Sequence, residues 1–408
     1  MKPYYENINL DFLQIFSMII YLVIFFFLLT FISKKLLLKD DKFNKYYFIT
    51  ILGVYFILLI GDIKFDYIPL FPDTELYYNF LNNSGSFISP IELSRGFGLF
   101  SRTVYLFSFN NIGIYLLFNA IINQIGILLL WKSFMIYKKD KVTIKNQRLF
   151  LIFSAIYPVS IIYALTLLRE SYFIFSFSIF LIGVMKKEKI NLVLILGSIL
   201  VVIFRIQYIV FCFLIYIIKL VFSNKKYIKY KIGFITFLSP FMYKTINWFT
   251  SKFLGIGLNA ISLRDFRNMQ RNRYLDKGTV YPEVDWSNWI ELFKDYPALI
   301  IQFLLTPFPI LVEYDFLNSI AYTIDAIYVI VVLTLFLINL RYTYKNVFWI
   351  FTLIVIIALS SMFEYFFTGG VRHRYTAIIM LIPLIFSDKK ENLNGSRSFN
   401  VFHRYIKN

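Results

Sequence analysis

The sequence has little charge, one cysteine and two histidines. Asp, Glu, Lys and Arg make up 16% of its 408 residues, against roughly 25% in an average soluble domain, whereas 59% of the residues are apolar. A soluble globular protein is thereby excluded. The single cysteine, Cys212, excludes a disulfide within the chain, and we expect it to be a small packing or lipid-facing residue.

Motifs for metal or nucleotide chemistry are also missing. His373 and His403 are far apart and fall on opposite predicted sides of a membrane, so the sequence predicts no metal-ligand cluster and no cofactor. The chain has neither a Walker-type glycine-rich loop nor an Asp-x-Asp motif on a soluble lobe. These absences argue against ATP-driven transport and against a cytoplasmic nucleotide-sugar transferase.

Long apolar runs bounded by Lys, Arg or polar turns recur along the whole chain and predict an all-α, polytopic membrane bundle. Residues 1–387 form one transmembrane domain in this prediction. Residues 297–312 contain Pro307 and Pro309, which break a helix, so we interpret this segment as re-entrant or interfacial. Counting it as a span gives twelve spans instead of eleven. The eleven predicted spans are residues 12–33, 46–61, 112–137, 149–168, 171–185, 192–204, 208–222, 232–249, 321–340, 347–367 and 375–386.

Lysine clusters set the predicted orientation. They follow the odd-numbered spans among the first eight, and cytoplasmic loops carry the excess of Lys and Arg. The N-terminus and the two long loops, 62–111 and 250–296, are therefore predicted outside, and the tail 388–408 is predicted in the cytoplasm. The same rule accounts for the net charge of +18, so we expect no nucleic-acid partner.

Arginines show the opposite distribution. With that orientation 22 of the 28 lysines lie inside, whereas 10 of the 14 arginines lie outside or at outer helix ends. A guanidinium binds phosphate or carboxylate through two parallel hydrogen bonds that Lys cannot reproduce, so this distribution predicts a binding role. The ten are Arg95, Arg102, Arg169, Arg205, Arg264, Arg267, Arg271, Arg273, Arg372 and Arg374.

Arg169 and Arg205 are predicted to lie below the membrane surface, because the spans beside them are too short to cross a bilayer core of about 30 Å. A charge at that depth normally faces a partner or a water-filled cavity. Both are therefore candidate catalytic residues. The alternative is a local contact with Glu170 or Gln207 that closes a hairpin.

The large outer loop supplies three candidate substrate-binding arginines. Arg264, Arg267 and Arg271 follow the i, i+3, i+7 spacing of one helix face, which would make a clamp for an anion. The alternative is an amphipathic helix lying on the outer leaflet.

Arg372 and Arg374 are further candidate substrate-binding residues, at the start of the last span. In extended backbone their side chains would point to the same side and form a fork. His373 would then point away, as an ordinary interfacial histidine.

Two carboxylates are candidate general bases. Asp73 either takes this role or caps a helix that starts at Thr74, and Glu170 beside Arg169 is the competing base. Glu364 is expected to pair with Arg372 or Arg374.

The chain resembles the EpsG/Wzy-like family of bacterial polysaccharide polymerases, which is related to multi-span glycosyltransferases that use polyprenyl-phosphate sugars. The pieces that carry the resemblance are short, and their order and topology match. They are Asp73 with Tyr77, residues 95–99 (Arg-Gly-Phe-Gly-Leu), 168–170 (Leu-Arg-Glu), 205–207 (Arg-Ile-Gln) and 372–375 (Arg-His-Arg-Tyr).

The resemblance implies a metal-independent enzyme of the bacterial inner membrane that joins undecaprenyl-pyrophosphate-linked oligosaccharide repeats into O-antigen or capsular polysaccharide on the outer side. It also implies a flippase and a chain-length regulator as partners, and substrate contacts from Tyr77 and Tyr375. Trp286 and Trp289 are candidates for stacking on sugars, and the alternative is that they are ordinary aromatic residues of the membrane interface. The alternatives are a polyprenyl-phosphate-sugar-dependent glycosyltransferase, a transporter of lipid-linked saccharide, and a non-catalytic subunit of an export complex.

Overall fold

The computed structural model describes residues 5, 12–68, 72–82, 95–139, 141–186, 190–222, 228–275, 280–306 and 316–386. Within these ranges the regular elements are helical, and the only strand-like pairing is an isolated bridge between Val280 and Phe366. The all-α prediction is confirmed. In chain order the α-helices are α1 Phe12–Leu36, α2 Asp41–Phe65, α3 Pro72–Asn82, α4 Arg95–Phe107, α5 Ile112–Tyr137, α6 Ile144–Ile156, α7 Pro158–Ala164, α8 Glu170–Met185, α9 Leu192–Phe204, α10 Ile209–Phe222, α11 Ile228–Phe249, α12 Ala260–Arg273, α13 Trp289–Leu305, α14 Phe316–Ile338, α15 Leu340–Thr343, α16 Val347–Phe363 and α17 Phe367–Ile385.

Several of these helices could cross a membrane. By length and hydropathy, four described helices qualify: α1, α2, α5 and residues Ile320–Ile338 of α14. A fifth is obtained if α6 and α7, which meet at 65°, form one broken span. The predicted count of eleven is therefore not supported. The physical reason is length, because α8, α9 and α16 have only 13 to 17 residues before a polar residue ends them.

Polar side chains cap the N-termini of several helices by accepting hydrogen bonds from backbone N–H groups of the first turn. The Asn111 side chain accepts a hydrogen bond from the Ile114 backbone N–H and caps α5. Asn191 caps α9 in the same way, and its amide also donates to the Gly183 carbonyl near the end of α8 at 2.9 Å. A single side chain thus starts one helix and fixes it to its predecessor.

The centre of the bundle is α5, which packs along α8, and α8 packs along α9. Glycines allow this close approach. A Cβ at Gly183 would overlap the backbone of Leu194, and a Cβ at Gly197 would overlap the backbone of Phe180. Small residues at helix contacts let backbones pack closely where lipid provides no hydrophobic drive. These contacts fix α8 against α9 near the C-terminus of α8, and the charged residues lie at the opposite end of the same helix pair.

Other boundaries differ from the prediction. The predicted span 149–168 is divided at Tyr157, where the chain bends before Pro158. The segment predicted to be re-entrant is helical to Leu305, and its residues 307–312 lie outside the described part, as does the tail 388–408. The two long loops contain helices: α3 and α4 in the first, α12 and the start of α13 in the second.

Candidate anion-binding site

Charged side chains converge at the end of the bundle where α8 begins and α9 ends. Arg169 immediately precedes α8, Glu170 is its first residue, and Arg205 follows α9 in extended backbone. Lys186 follows the other end of α8. The cluster and the lysine-bearing end therefore lie about 24 Å apart along a helix of 16 residues.

Glu170 is the centre of this cluster. Its Oε1 accepts hydrogen bonds from Nη2 of Arg205 and from Nε of Arg372, which comes from α17. The Arg205 and Glu170 side chains are each only 2% exposed. Nη1 of Arg372 also donates to Oδ2 of Asp73 at 2.5 Å. One carboxylate thus joins α8, α9 and α17, and Asp73 adds α3.

The cluster contains more positive than negative charge. Among the described residues, Arg205 and Arg372 pair with two carboxylates, those of Asp73 and Glu170, and Arg169 lies beside them. Arg169 makes no carboxylate pair among the described residues, and its Nη1 donates to the Phe204 carbonyl at 3.4 Å. With all five groups ionised the formal charge of the cluster is +1.

Each of the three guanidinium groups also has an unused donor. Nε of Arg169, Nε of Arg205 and Nη2 of Arg372 are buried and have no hydrogen-bond partner in the described part of the chain. The second oxygen of Glu170, Oε2, is likewise unpartnered there. Buried polar groups are nearly always hydrogen-bonded. Three such donors in one cluster fit an anion with several acceptor oxygens.

Asp73 is part of the first turn of α3 and does not cap it, because the helix already begins at Pro72. The positive charge of Arg372 lowers the pKa of Asp73 from 3.8 to about 2. Aromatic contacts hold α3 in place, since the Tyr77 ring packs edge-on against Phe97 of α4, which packs against Tyr172 of α8. Asp73 is therefore an ionised partner of Arg372 and a weak proton acceptor.

The predicted fork of Arg372 and Arg374 is wrong. The backbone there is helical and not extended, since α17 begins at Phe367, and residues two apart on a helix point about 200° apart. Arg372 reaches Glu170, whereas Arg374 turns away to pair with Asp325 of α14. Nη1 of Arg374 also donates to the Leu304 and Thr306 carbonyls at 3.0 and 2.5 Å, at the end of α13.

Glu364 does not pair with either arginine, contrary to the prediction. Its Oε2 lies 2.5 Å from Nδ1 of His373. Glu364 is buried, and the His373 side chain is 31% exposed. His373 is therefore a paired residue within the charged region and not an isolated interfacial histidine.

The arginines of α12 each have partners within the protein. The helix itself is confirmed. Arg267 is buried and donates to the Ser361 and Met362 carbonyls in the last turn of α16, at 3.1 and 3.2 Å. These contacts tie α12 to α16. Arg264 pairs with Asp265 and Asp285, and Arg271 pairs with Glu283 and the Tyr281 carbonyl.

Two of the aromatic candidates face the interior. The Tyr375 hydroxyl donates to Asn123 of α5 at 2.6 Å, inside the bundle. Trp286 is fully buried, with its indole N–H on Asp295, so the prediction that it stacks on sugars is wrong. Trp289 is 38% exposed.

The side chain of Arg95 lies outside the described part.

The prediction thus named the residues of the cluster but not all of its contacts. The Asp325 partner of Arg374 and the Glu364–His373 pair were missed. The sequence did contain a signal for the Arg374–Asp325 pair. Asp325 lies within the predicted span 321–340, and an ionisable residue at membrane depth normally has a partner. Searches against family models, curated proteins and solved structures found no match for this chain.

Proposed function

We propose that this protein is a membrane glycosyltransferase that joins undecaprenyl-pyrophosphate-linked oligosaccharide repeats into O-antigen or capsular polysaccharide. The observation that carries the proposal is the cluster of Arg169, Arg205 and Arg372, three guanidinium groups that each have one buried donor without a partner in the described part of the chain. A diphosphate supplies acceptors for all three.

The chemistry of the reaction calls for such a cluster. Transfer of a glycan from a lipid pyrophosphate builds negative charge on the departing group. Fixed donors in a site shielded from water stabilise charge that develops in the transition state, and this is commonly the largest catalytic contribution. With all five described groups ionised, the cluster has a formal charge of +1 before the substrate binds. Arg205 is further held over the rings of Phe173 and Tyr208, at 5.2 and 5.7 Å from their centroids.

The proposal extends to topology. We propose that the shorter apolar helices also cross the bilayer, giving about eleven spans, with the lysine-bearing ends in the cytoplasm and the arginine cluster at the outer side of the bacterial inner membrane. Support comes from α8, whose apolar length of about 24 Å is less than a core of roughly 30 Å, so that Glu170 and its arginines are drawn below the surface. There they can meet a pyrophosphate whose polyprenyl tail remains in the lipid.

Cells in which the chromosomal gene is replaced by variants test this function. Arg169→Gln, Arg205→Gln and Arg372→Gln are each expected to abolish long-chain glycan while the protein still inserts at wild-type abundance. Arg148→Gln is the matched control, because Arg148 pairs with Asp40 between α2 and α6, away from the cluster. Wild-type glycan lengths in all three cluster variants would contradict the proposal. A transporter would be indicated if lipid-linked repeats accumulated on the cytoplasmic face.

A further inference from the structure

The Glu364–His373 pair carries an inference beyond the arginine cluster. Glu364 follows the last residue of α16, and His373 lies in the second turn of α17. The carboxylate is 3% exposed and holds Nδ1 of the imidazole at 2.5 Å. Because Nδ1 is engaged, Nε2 is the ring nitrogen that remains able to accept a proton.

Neighbouring residues make room for this pair. A Cβ at Gly369 would overlap Oε1 of Glu364, and a Cβ at Gly370 would overlap the Tyr281 hydroxyl. Oε1 of Glu364 also faces the Phe366 backbone N–H at 3.4 Å. Because Gly369 and Gly370 have no side chains, the Glu364 carboxylate fits against the first turn of α17. There it contacts Nδ1 of His373 and fixes the position of the imidazole ring.

The pair adjoins the anion-binding site. His373 follows Arg372 in the chain, and both Arg205 and Arg372 lie within electrostatic range of its ring. Neither carboxylate of the cluster fits the role of a proton acceptor. Glu170 accepts hydrogen bonds from Arg205 and Arg372. The positive charge of Arg372 lowers the pKa of Asp73 to about 2, so Asp73 is a weak proton acceptor. A proton acceptor beside the arginines must therefore come from elsewhere.

We propose that His373 is the general base of the glycosyl transfer and that Glu364 is the residue that positions it. This inference rests on the proposed function. Nε2 of His373 takes the proton of the acceptor hydroxyl, and the oxygen uses the freed electron pair to bond to the anomeric carbon of the donor. The bond between that carbon and the pyrophosphate oxygen breaks, and its electrons leave with the lipid pyrophosphate. The imidazolium is stabilised by Glu364 and returns its proton to the pyrophosphate or to water.

The test uses the purified full chain in nanodiscs, with lipid-linked saccharide extracted from source cells that lack the gene. His373→Ala is expected to lower the rate of lengthening by about 100-fold or more, the usual contribution of a general base, and added imidazole is expected to restore part of it. Affinity for undecaprenyl pyrophosphate is expected to stay within about threefold of wild type, because the arginines are unchanged.

Glu364→Gln tests the positioning role. Its amide oxygen can still accept from Nδ1 but cannot stabilise the imidazolium, so the maximal rate should fall while the affinity for undecaprenyl pyrophosphate is kept. Glu291→Gln is the matched control, because Glu291 lies in the first turn of α13, where it accepts hydrogen bonds from Ser287, and should leave the rate unchanged.

The outcomes separate the two proposals. Suppose that the wild type lengthens the glycan. A His373→Ala rate within about threefold of the wild-type rate, or a loss of rate that imidazole does not relieve, would then overturn only the role of His373. Absence of lengthening by the wild type overturns the proposed function and this inference together.

Discussion

Arg374 and Asp325 form an ion pair in which neither side chain has any solvent exposure. The pair joins α17 to α14, and the remaining hydrogen bonds of Arg374 reach the carbonyls at the end of α13. Arg374 is next to His373 and two residues from Arg372. The pair therefore fixes the helix that presents both residues to the site.

Breaking this pair on one side should destabilise the protein strongly. Asp325→Leu leaves the Arg374 charge buried without its partner, which typically costs about 3–5 kcal/mol. The double variant Asp325→Leu with Arg374→Met should recover much of the loss, because it removes both charges. Thermal unfolding in detergent, followed by tryptophan fluorescence, measures this. A single variant as stable as the wild type would refute the role assigned to the pair.

Glu170 and Arg205 should be strongly coupled. A double-mutant cycle with Glu170→Gln and Arg205→Gln is expected to give a coupling energy of about 1–3 kcal/mol, as for contacting residues in one buried network. The same cycle on Asp40 and Arg148 is the control and should give a much smaller value, because half of the Arg148 side chain is exposed. Equal coupling in both cycles would show that burial does not strengthen the Glu170 contact.

Asp73 should make stability depend on pH in the acid range. Its pKa is lowered from 3.8 to about 2 by Arg372, so the folded state favours the ionised form. The stabilisation is complete above the unfolded value and is lost as pH falls from about 4 through about 2. The difference in melting temperature between wild type and Asp73→Asn should be constant near neutral pH and shrink in that window. A difference that already disappears near pH 6 would contradict the pairing with Arg372.

Close packing of α8 on α9 should make two glycines intolerant of a methyl group. Gly183→Ala and Gly197→Ala force side-chain atoms into the facing backbone and should each destabilise by about 1–3 kcal/mol. Gly233→Ala in α11 is the control, because no atom lies within 4 Å of the added carbon and Ala favours a helix. Melting temperatures of the three variants compare them. Equal tolerance at all three sites would mean that the helices do not approach as described.

Local patterns predicted much of this structure. Apolar runs gave the helical class, and the span 192–204 was placed at its observed ends because Asn191 and Arg205 bound it. The arginine spacing in 260–273 correctly indicated a helix. The contrast between lysine and arginine also directed attention to Arg169 and Arg205, which do lie in one cluster.

Pairings between distant parts of the chain could not be predicted. Arg372 and Glu170 are 202 positions apart, and they meet only because α17 packs against α5 and α7, the neighbours of α8. Extended backbone was predicted at Arg372 and Arg374, but Gly369 and Gly370 just before them belong to a helix, in which they leave space for Glu364 and Tyr281. The low helix propensity of glycine was thus outweighed by tertiary contacts with Glu364 and Tyr281, which the local sequence does not indicate.

Binding of a lipid pyrophosphate by the arginine cluster can be measured as the affinity of the purified protein in nanodiscs for undecaprenyl pyrophosphate, compared with uncharged undecaprenol. We expect tight binding of the pyrophosphate alone. Its affinity should fall by about tenfold or more in Arg169→Gln, Arg205→Gln and Arg372→Gln and stay unchanged in Arg148→Gln, because each lost charge-assisted hydrogen bond is worth about 1.5–3 kcal/mol. Equal affinity for the two lipids, or cluster variants that bind like the wild type, would contradict binding of the pyrophosphate by the cluster.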